Sequence, residues 1–278
     1  MDIRFRHFIF TRFLCESFGQ TDEQLLSEDR IRYHMCVLKS NFIKTLENQT
    51  NQDFEVVIVV HDDLDSKYVE QLENIDTSLD IYVIKRKDID DFIRTIDTRE
   101  YDYVILSRQD DDDFLKKNVV QDTQDAIQLC TNGVLCYGYT NGYIGFSWID
   151  KVVNMNVRYK CGHFSCMQSF IFDCHRAPIL QSTLFARLTD VEDILRNICE
   201  QNNIEFSLDT NIKVGPNGMY IWYRHSDTGT KIHERYDSEE FVQRYGEAEQ
   251  KCCKEYGVYK KWYDQEGVSI DKSEFGWK

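Results

Sequence analysis

Residues Phe54-Glu55-Val56-Val57-Ile58-Val59-Val60 set five β-branched side chains in an unbroken row. A strand with one wet face alternates apolar and polar residues, whereas an unbroken row is apolar on both faces. It needs helices packed on either side, and the neighbouring sequence offers them. Over 27–48, Ile31, Met35, Leu38, Phe42 and Leu46 recur near helical spacing and predict one long amphipathic helix. Further helices are expected over 66–72 and 90–96, and further strands over 7–11, 81–84 and 103–106. This alternation predicts an α/β fold with a mostly parallel, Rossmann-like central sheet and right-handed crossovers.

After about residue 130 the pattern changes. Aromatic-rich, glycine-punctuated strands are expected over 133–146 and 157–172, and a helix over 191–201. An antiparallel second half should lean on the same sheet. We divide the chain into a main domain, 1–233, and a charged, aromatic extension, 234–278, read as helical and packed on it.

The chain has 278 residues, 42% hydrophobic and 13% aromatic, enough to fill a core and to exclude wholesale disorder. Its 33 basic and 48 acidic residues give a net charge of -15, which repels phosphate backbones and anionic lipid. No nucleic-acid partner is expected. No window reaches the roughly 18 apolar residues of a membrane helix, and the N-terminus lacks a signal-peptide core. The 10 cysteines sit in apolar segments and read as reduced, buried thiols. A cytoplasmic location follows as the expectation, with Asn48-Gln49-Thr50 an accidental glycosylation sequon.

Tyr103-Val104-Ile105-Leu106 runs directly into Ser107-Arg108-Gln109-Asp110-Asp111-Asp112-Asp113-Phe114. Ligands of open parallel sheets bind beyond the carboxyl ends of the strands. Four adjacent carboxylates repel one another there unless a cation compensates. A hard divalent ion, Mn²⁺ or Mg²⁺, shared with a diphosphate suits oxygen ligands of this kind. The plainer reading is a solvated acidic loop that caps the next helix. Cys161-Gly162-His163 with Cys166, and Cys174-His175, fit no tetrahedral zinc spacing.

Three segments resemble the GT-A glycosyltransferases, most closely the rhamnosyltransferase family. They are His7-Phe8-Ile9-Phe10-Thr11-Arg12-Phe13, then Asn48-Gln49-Thr50-Asn51-Gln52-Asp53-Phe54 running to Val59-Val60-His61-Asp62-Asp63, then the aspartate tetrad. The resemblance implies a GT-A fold and a metal-dependent, inverting transfer from a nucleoside-diphosphate sugar to a glycan or glycolipid hydroxyl. It implies a metal-binding DxD motif at Asp110 and Asp112, with Asp111 and Asp113 as the competing register. Arg12 and Arg108 would reach the diphosphate, and Asp62, or its neighbour Asp63, the nucleoside. Asp193 is the first candidate for the base that deprotonates the acceptor. Glu192 is the second, and Asp190 shares the ambiguity. His225 is the candidate late metal ligand and His163 a candidate acceptor contact. Trp148, Tyr139 and Tyr143 are candidates for stacking on sugars, with core packing an equal alternative.

Two rival functions remain at this stage. A nucleotide-sugar-forming nucleotidyltransferase wants a glycine-rich loop after the first strand, yet Thr11-Arg12-Phe13-Leu14-Cys15-Glu16 holds no glycine. A non-catalytic metal- or carbohydrate-binding module would keep the cluster without turnover.

Overall fold

The computed structural model describes residues 3–15, 21–146, 151–156, 166–180, 191–224 and 266–277. Strand β1 (Phe5–Phe13) pairs in parallel with β2 (Glu55–Val60) on one side and β4 (Tyr103–Arg108) on the other. Strand β3 (Ile81–Lys85) extends the sheet beyond β2, also in parallel. Strand β9 (Cys166–Asp173) runs antiparallel between β4 and β6 (Val134–Tyr139). Strand β10 (Ile212–Val214) closes the edge in parallel with β6. The result is a seven-stranded, mostly parallel sheet in the order β10-β6-β9-β4-β1-β2-β3.

Successive strand residues face opposite ways, so the unbroken apolar rows feed two separate cores. Ile9, Phe13, Val56, Ile58 and Val60 pack beneath α1 (Asp22–Leu25), α2 (Glu28–Val37), α3 (Lys44–Glu47), α4 (Ser66–Glu73) and α6 (Val119–Asp125). Phe8, Phe10, Val57, Val59, Val104 and Leu106 pack on the other face against α5 (Ile89–Arg94) and α7 (Val191–Gln201). The four-residue helix α8 (Leu208–Asn211) leads straight into β10.

The sequence expectation differs from the structure in three places. The helix expected over 27–48 is broken between α2 and α3 by a π turn, Leu38–Ile43. The strand expected over 133–146 divides at Thr140: β6 belongs to the main sheet and β7 (Asn141–Phe146) to another. That second, four-stranded sheet has the order β5-β11-β7-β8, adding β5 (Phe114–Leu115), β8 (Lys151–Asn156) and β11 (Tyr220–Arg224). The antiparallel character of the second half is therefore real, but much of it lies in a sheet of its own.

Of the expected C-terminal extension, only 266–277 is described. It contains a single 3-10 turn, Lys272–Phe275. Phe275 joins Phe114 and Ile221 in a small core against the second sheet, and Trp277 stacks on Phe114 with centroids 5.4 Å apart. Among the described residues, no helix is long and apolar enough to cross a membrane.

Candidate active site

Strands β1, β2, β3 and β4 all end at the same edge of the sheet. From β1 the chain steps one way to β2 and β3, while β4 lies on the opposite side of β1. Such a switch point opens a crevice at the carboxyl ends of the two central strands. Arg12, one residue before the end of β1, and Arg108, the last of β4, converge there on one carboxylate oxygen. Arg12 Nη2 donates to Asp110 Oδ1 at 2.9 Å, and Arg108 Nη2 lies 3.3 Å from the same atom.

Burial alternates along the tetrad. Asp111 and Asp113 are buried, whereas Asp110 and Asp112 are half-buried. Partial burial pushes the Asp110 carboxyl upward, but the charges of Arg108 and Arg12 and their hydrogen bonds outweigh it. Asp110 is held well below the usual carboxylate range. Asp111 moves the other way: burial raises it, Asp112 and Asp110 add to the rise, and His34 opposes. His34 Nδ1 from α2 lies 3.6 Å from Asp111 Oδ2, an oxygen with no hydrogen-bond partner among the described residues. The turn is pinned by neutral groups. The Gln109 amide donates to Phe10 O at 2.9 Å, Gln109 Oε1 accepts from the Met167 amide at 3.1 Å, and Asn41 Nδ2 donates to Asp112 O at 3.1 Å.

At the end of β2, Asp62 Oδ1 accepts the Lys87 amide at 2.9 Å, and Asp62 O accepts from Lys85 Nζ at 2.9 Å. Asp63 is exposed, and its amide donates to His61 Nδ1 at 3.1 Å. Ligand atoms of Asp22, His61 and Asp63 lie within 4.8 Å of one another. His61 Nε2 faces Asp22 Oδ1 at 3.6 Å.

Helix α7 matches the expected 191–201. Its C-terminal end sits at the start of β6: Ile204, whose amide bonds Cys199 O, packs on Gly133. Gly133 has φ +112, and an added Cβ would come within 2.6 Å of Ile204 Cδ1, so only glycine fits. The helix has 11 residues, and Glu192 and Asp193 lie in its first turn. Glu192 Oε1 accepts from Arg196 Nη2 at 2.6 Å, while Asp193 is exposed.

Asp190, His163, Trp148, Cys161 and His225 fall outside the described residues. Tyr139 is a core residue: its ring is fully buried, and its hydroxyl donates to Asp122 Oδ2 at 2.8 Å. Tyr143 packs edge-on against Phe275. Cys15, Cys130, Cys136, Cys174 and Cys199 are buried free thiols, and Cys36 is an exposed one. Sequence reasoning missed His34, Asn41 and Gln109 because each acts on a neighbour distant in sequence. Asn41 left one readable trace, a polar residue between the apolar positions Leu38 and Phe42.

The donor set suits a hard divalent ion. It consists of carboxylate oxygens, four clustered acids against two guanidinium groups, with Asp110 and Asp112 reaching the surface. Among family models, the one described as "Putative rhamnosyl transferase" matches residues 5–204. No protein of curated function matches the sequence. Among solved structures, a "putative nucleotide-diphospho-sugar transferase from Desulfovibrio desulfuricans G20" aligns with TM-score 0.42 and 11% identity, over 90% of this chain and 97% of that one. TarS of S. aureus in complex with UDP-GlcNAc aligns with TM-score 0.42 and 14% identity. That alignment covers 87% of this chain but 64% of TarS, less than two thirds of its length.

Proposed function

We propose, for a chain that belongs to the "Putative rhamnosyl transferase" family and is a glycosyltransferase, that the crevice between β1 and β4 binds the diphosphate of a nucleoside-diphosphate sugar. The observation that carries this reading is the convergence of Arg12 and Arg108 on Asp110 beside half-buried Asp112. Asp110 and Asp112 would hold Mn²⁺ or Mg²⁺. Alternate burial favours this pair over Asp111 and Asp113. When bound, the ion supplies positive charge to the leaving nucleoside diphosphate without any proton transfer.

The chain's own groups do the rest. Arg12 and Arg108 hold phosphate oxygens and neutralise charge as the sugar–phosphate bond breaks. Asp62, with Asp63 second, contacts the nucleoside. Asp193, with Glu192 second, takes the proton of the acceptor hydroxyl as it attacks the anomeric carbon, so the transfer inverts. Its exposure leaves it free to meet an incoming acceptor, whereas Glu192 is tied to Arg196. The acceptor is a glycan or glycolipid hydroxyl, and rhamnose is the sugar the family name suggests. Free thiols at Cys15, Cys36, Cys130, Cys136, Cys174 and Cys199 suit the reducing cytoplasm.

Differential scanning fluorimetry with UDP, with and without Mn²⁺, tests the reading. Binding to the folded state alone should raise Tm only when both are present. Stabilisation by UDP that EDTA leaves untouched counts against it. Hydrolysis of a panel of donor sugars then identifies nucleotide and sugar.

A further inference from the structure

Asn41 in the π turn, Thr45 in α3 and Gln49 just past its end are spaced four residues apart in a stretch that otherwise buries leucine and phenylalanine. They are 6%, 0% and 5% exposed. Asn41 hydrogen-bonds to the backbone of the aspartate turn itself, and Thr45 and Gln49 to the backbone that directly follows it. Asn41 Nδ2 donates to Asp112 O at 3.1 Å. Thr45 Oγ1 accepts the Leu115 amide at 2.7 Å and lies 2.9 Å from Leu115 O. Gln49 Nε2 donates to Lys116 O at 3.1 Å, and Gln49 Oε1 accepts the Val120 amide at 3.1 Å.

Asn41 lies in the π turn. A π turn takes an extra residue, which rotates the preceding helix against the one that follows. Asn41 and Thr45 thus both address 112–115 while Leu38, Phe42 and Leu46 stay in the core. The Gln-Thr element of the sequence takes part in this contact: the Thr50 amide donates to Lys117 O at 2.7 Å.

Resting on the proposed diphosphate site, we infer that Asn41, Thr45 and Gln49 are positioning residues that fix the backbone of the Asp110–Asp113 turn, and so the spacing of Asp110 and Asp112. Four adjacent carboxylates push apart, and the push changes whenever a cation arrives or leaves. Anchors made of neutral amides and a hydroxyl hold the turn equally in both conditions. Burial makes each anchor matter, since a deleted partner leaves a buried backbone group unsatisfied.

Two readouts separate this inference from the site reading. Hydrogen exchange at residues 109–117 reports the anchoring in the protein alone. Calorimetry with Mn²⁺ and UDP reports its consequence. Asn41→Ala and Thr45→Val should each speed exchange in that segment about tenfold or more and weaken Mn²⁺-dependent UDP binding about tenfold. Thr45→Ser, which keeps the hydroxyl, should restore both. Wild-type exchange rates in Asn41→Ala and Thr45→Val overturn the inference, as does fast exchange with UDP affinity intact. Wild-type protein with no Mn²⁺-dependent UDP binding speaks against the site reading, while exchange still decides whether the three residues hold the turn.

Discussion

At the scale of single residues, position along the proposed reaction separates the acids. Asp193→Asn keeps shape and removes basicity, so transfer should fall about 10²–10⁴-fold with UDP affinity unchanged. Asp112→Asn removes a ligand charge, so Mn²⁺-dependent UDP binding and turnover should fall together. Radiolabelled transfer assays beside calorimetry check both, and near-normal transfer by Asp193→Asn passes the role to Glu192. His7 makes a prediction about stability. It is buried in β1, where Gln124 Nε2 donates to Nδ1 at 3.3 Å and Nε2 lies 2.7 Å from Ser107 Oγ. Burial lowers its pKa from 6.5 to about 3. Below the higher value the unfolded chain gains a proton that the fold refuses. Stability is therefore whole above about pH 6.5 and falls toward pH 3, by up to ~1.4 kcal/mol per pH unit from this group. Urea titrations at pH 7, 6 and 5 should show a shallower pH slope for His7→Gln, and an unchanged slope would refute the assignment.

Helix termini give a paired prediction at the scale of elements. Asp65 caps α4 by accepting the Lys67 amide at 3.0 Å, whereas Ser27 makes no such side-chain bond at the start of α2. Asp65→Ala should lose about 1 kcal/mol, a fall of about 2–4 °C in Tm for a domain of this order. Ser27→Ala should stay within about 0.5 kcal/mol. Calorimetric melting of the two variants side by side decides it, and equal losses would mean that the cap bond contributes nothing. Elements were also the most legible level of the sequence. The helices over 66–72 and 191–201 and the strands of the first half follow from periodicity, which backbone geometry fixes locally. The π turn at Leu38–Ile43 was not legible, because its residues continue an ordinary helical pattern and it is the contact of Asn41 with Asp112 that sets them apart.

At the scale of the whole molecule, the chain's last described segment fastens the second sheet to α3, which packs on the main one. Phe275 fills a core with Phe114 and Ile221, and its carbonyl lies 3.1 Å from Thr45 Oγ1. The Lys117 amide donates to Glu274 O at 2.7 Å. Phe275→Ala should lower stability by about 3–5 kcal/mol, the usual loss for a buried phenylalanine, and shift the urea midpoint accordingly. A shift of less than ~1 kcal/mol would mean that the segment merely rests on the surface. The amino-acid sequence by itself determined the buried parallel strands, the helices on both faces and the acidic cluster after β4, because apolar periodicity and charge crowding are properties of neighbouring residues. It left open which aspartates reach the surface, that Tyr139 belongs to the core, and that 133–146 divides between two sheets. Those were decided by groups far apart in the chain. Asn41 and Asp112 are 71 residues apart, and Arg12 and Asp110 are 98 apart. Only the closed sheet brings such pairs within hydrogen-bond distance, where a few tenths of an ångström determine which carboxylate is held and which is left to bind.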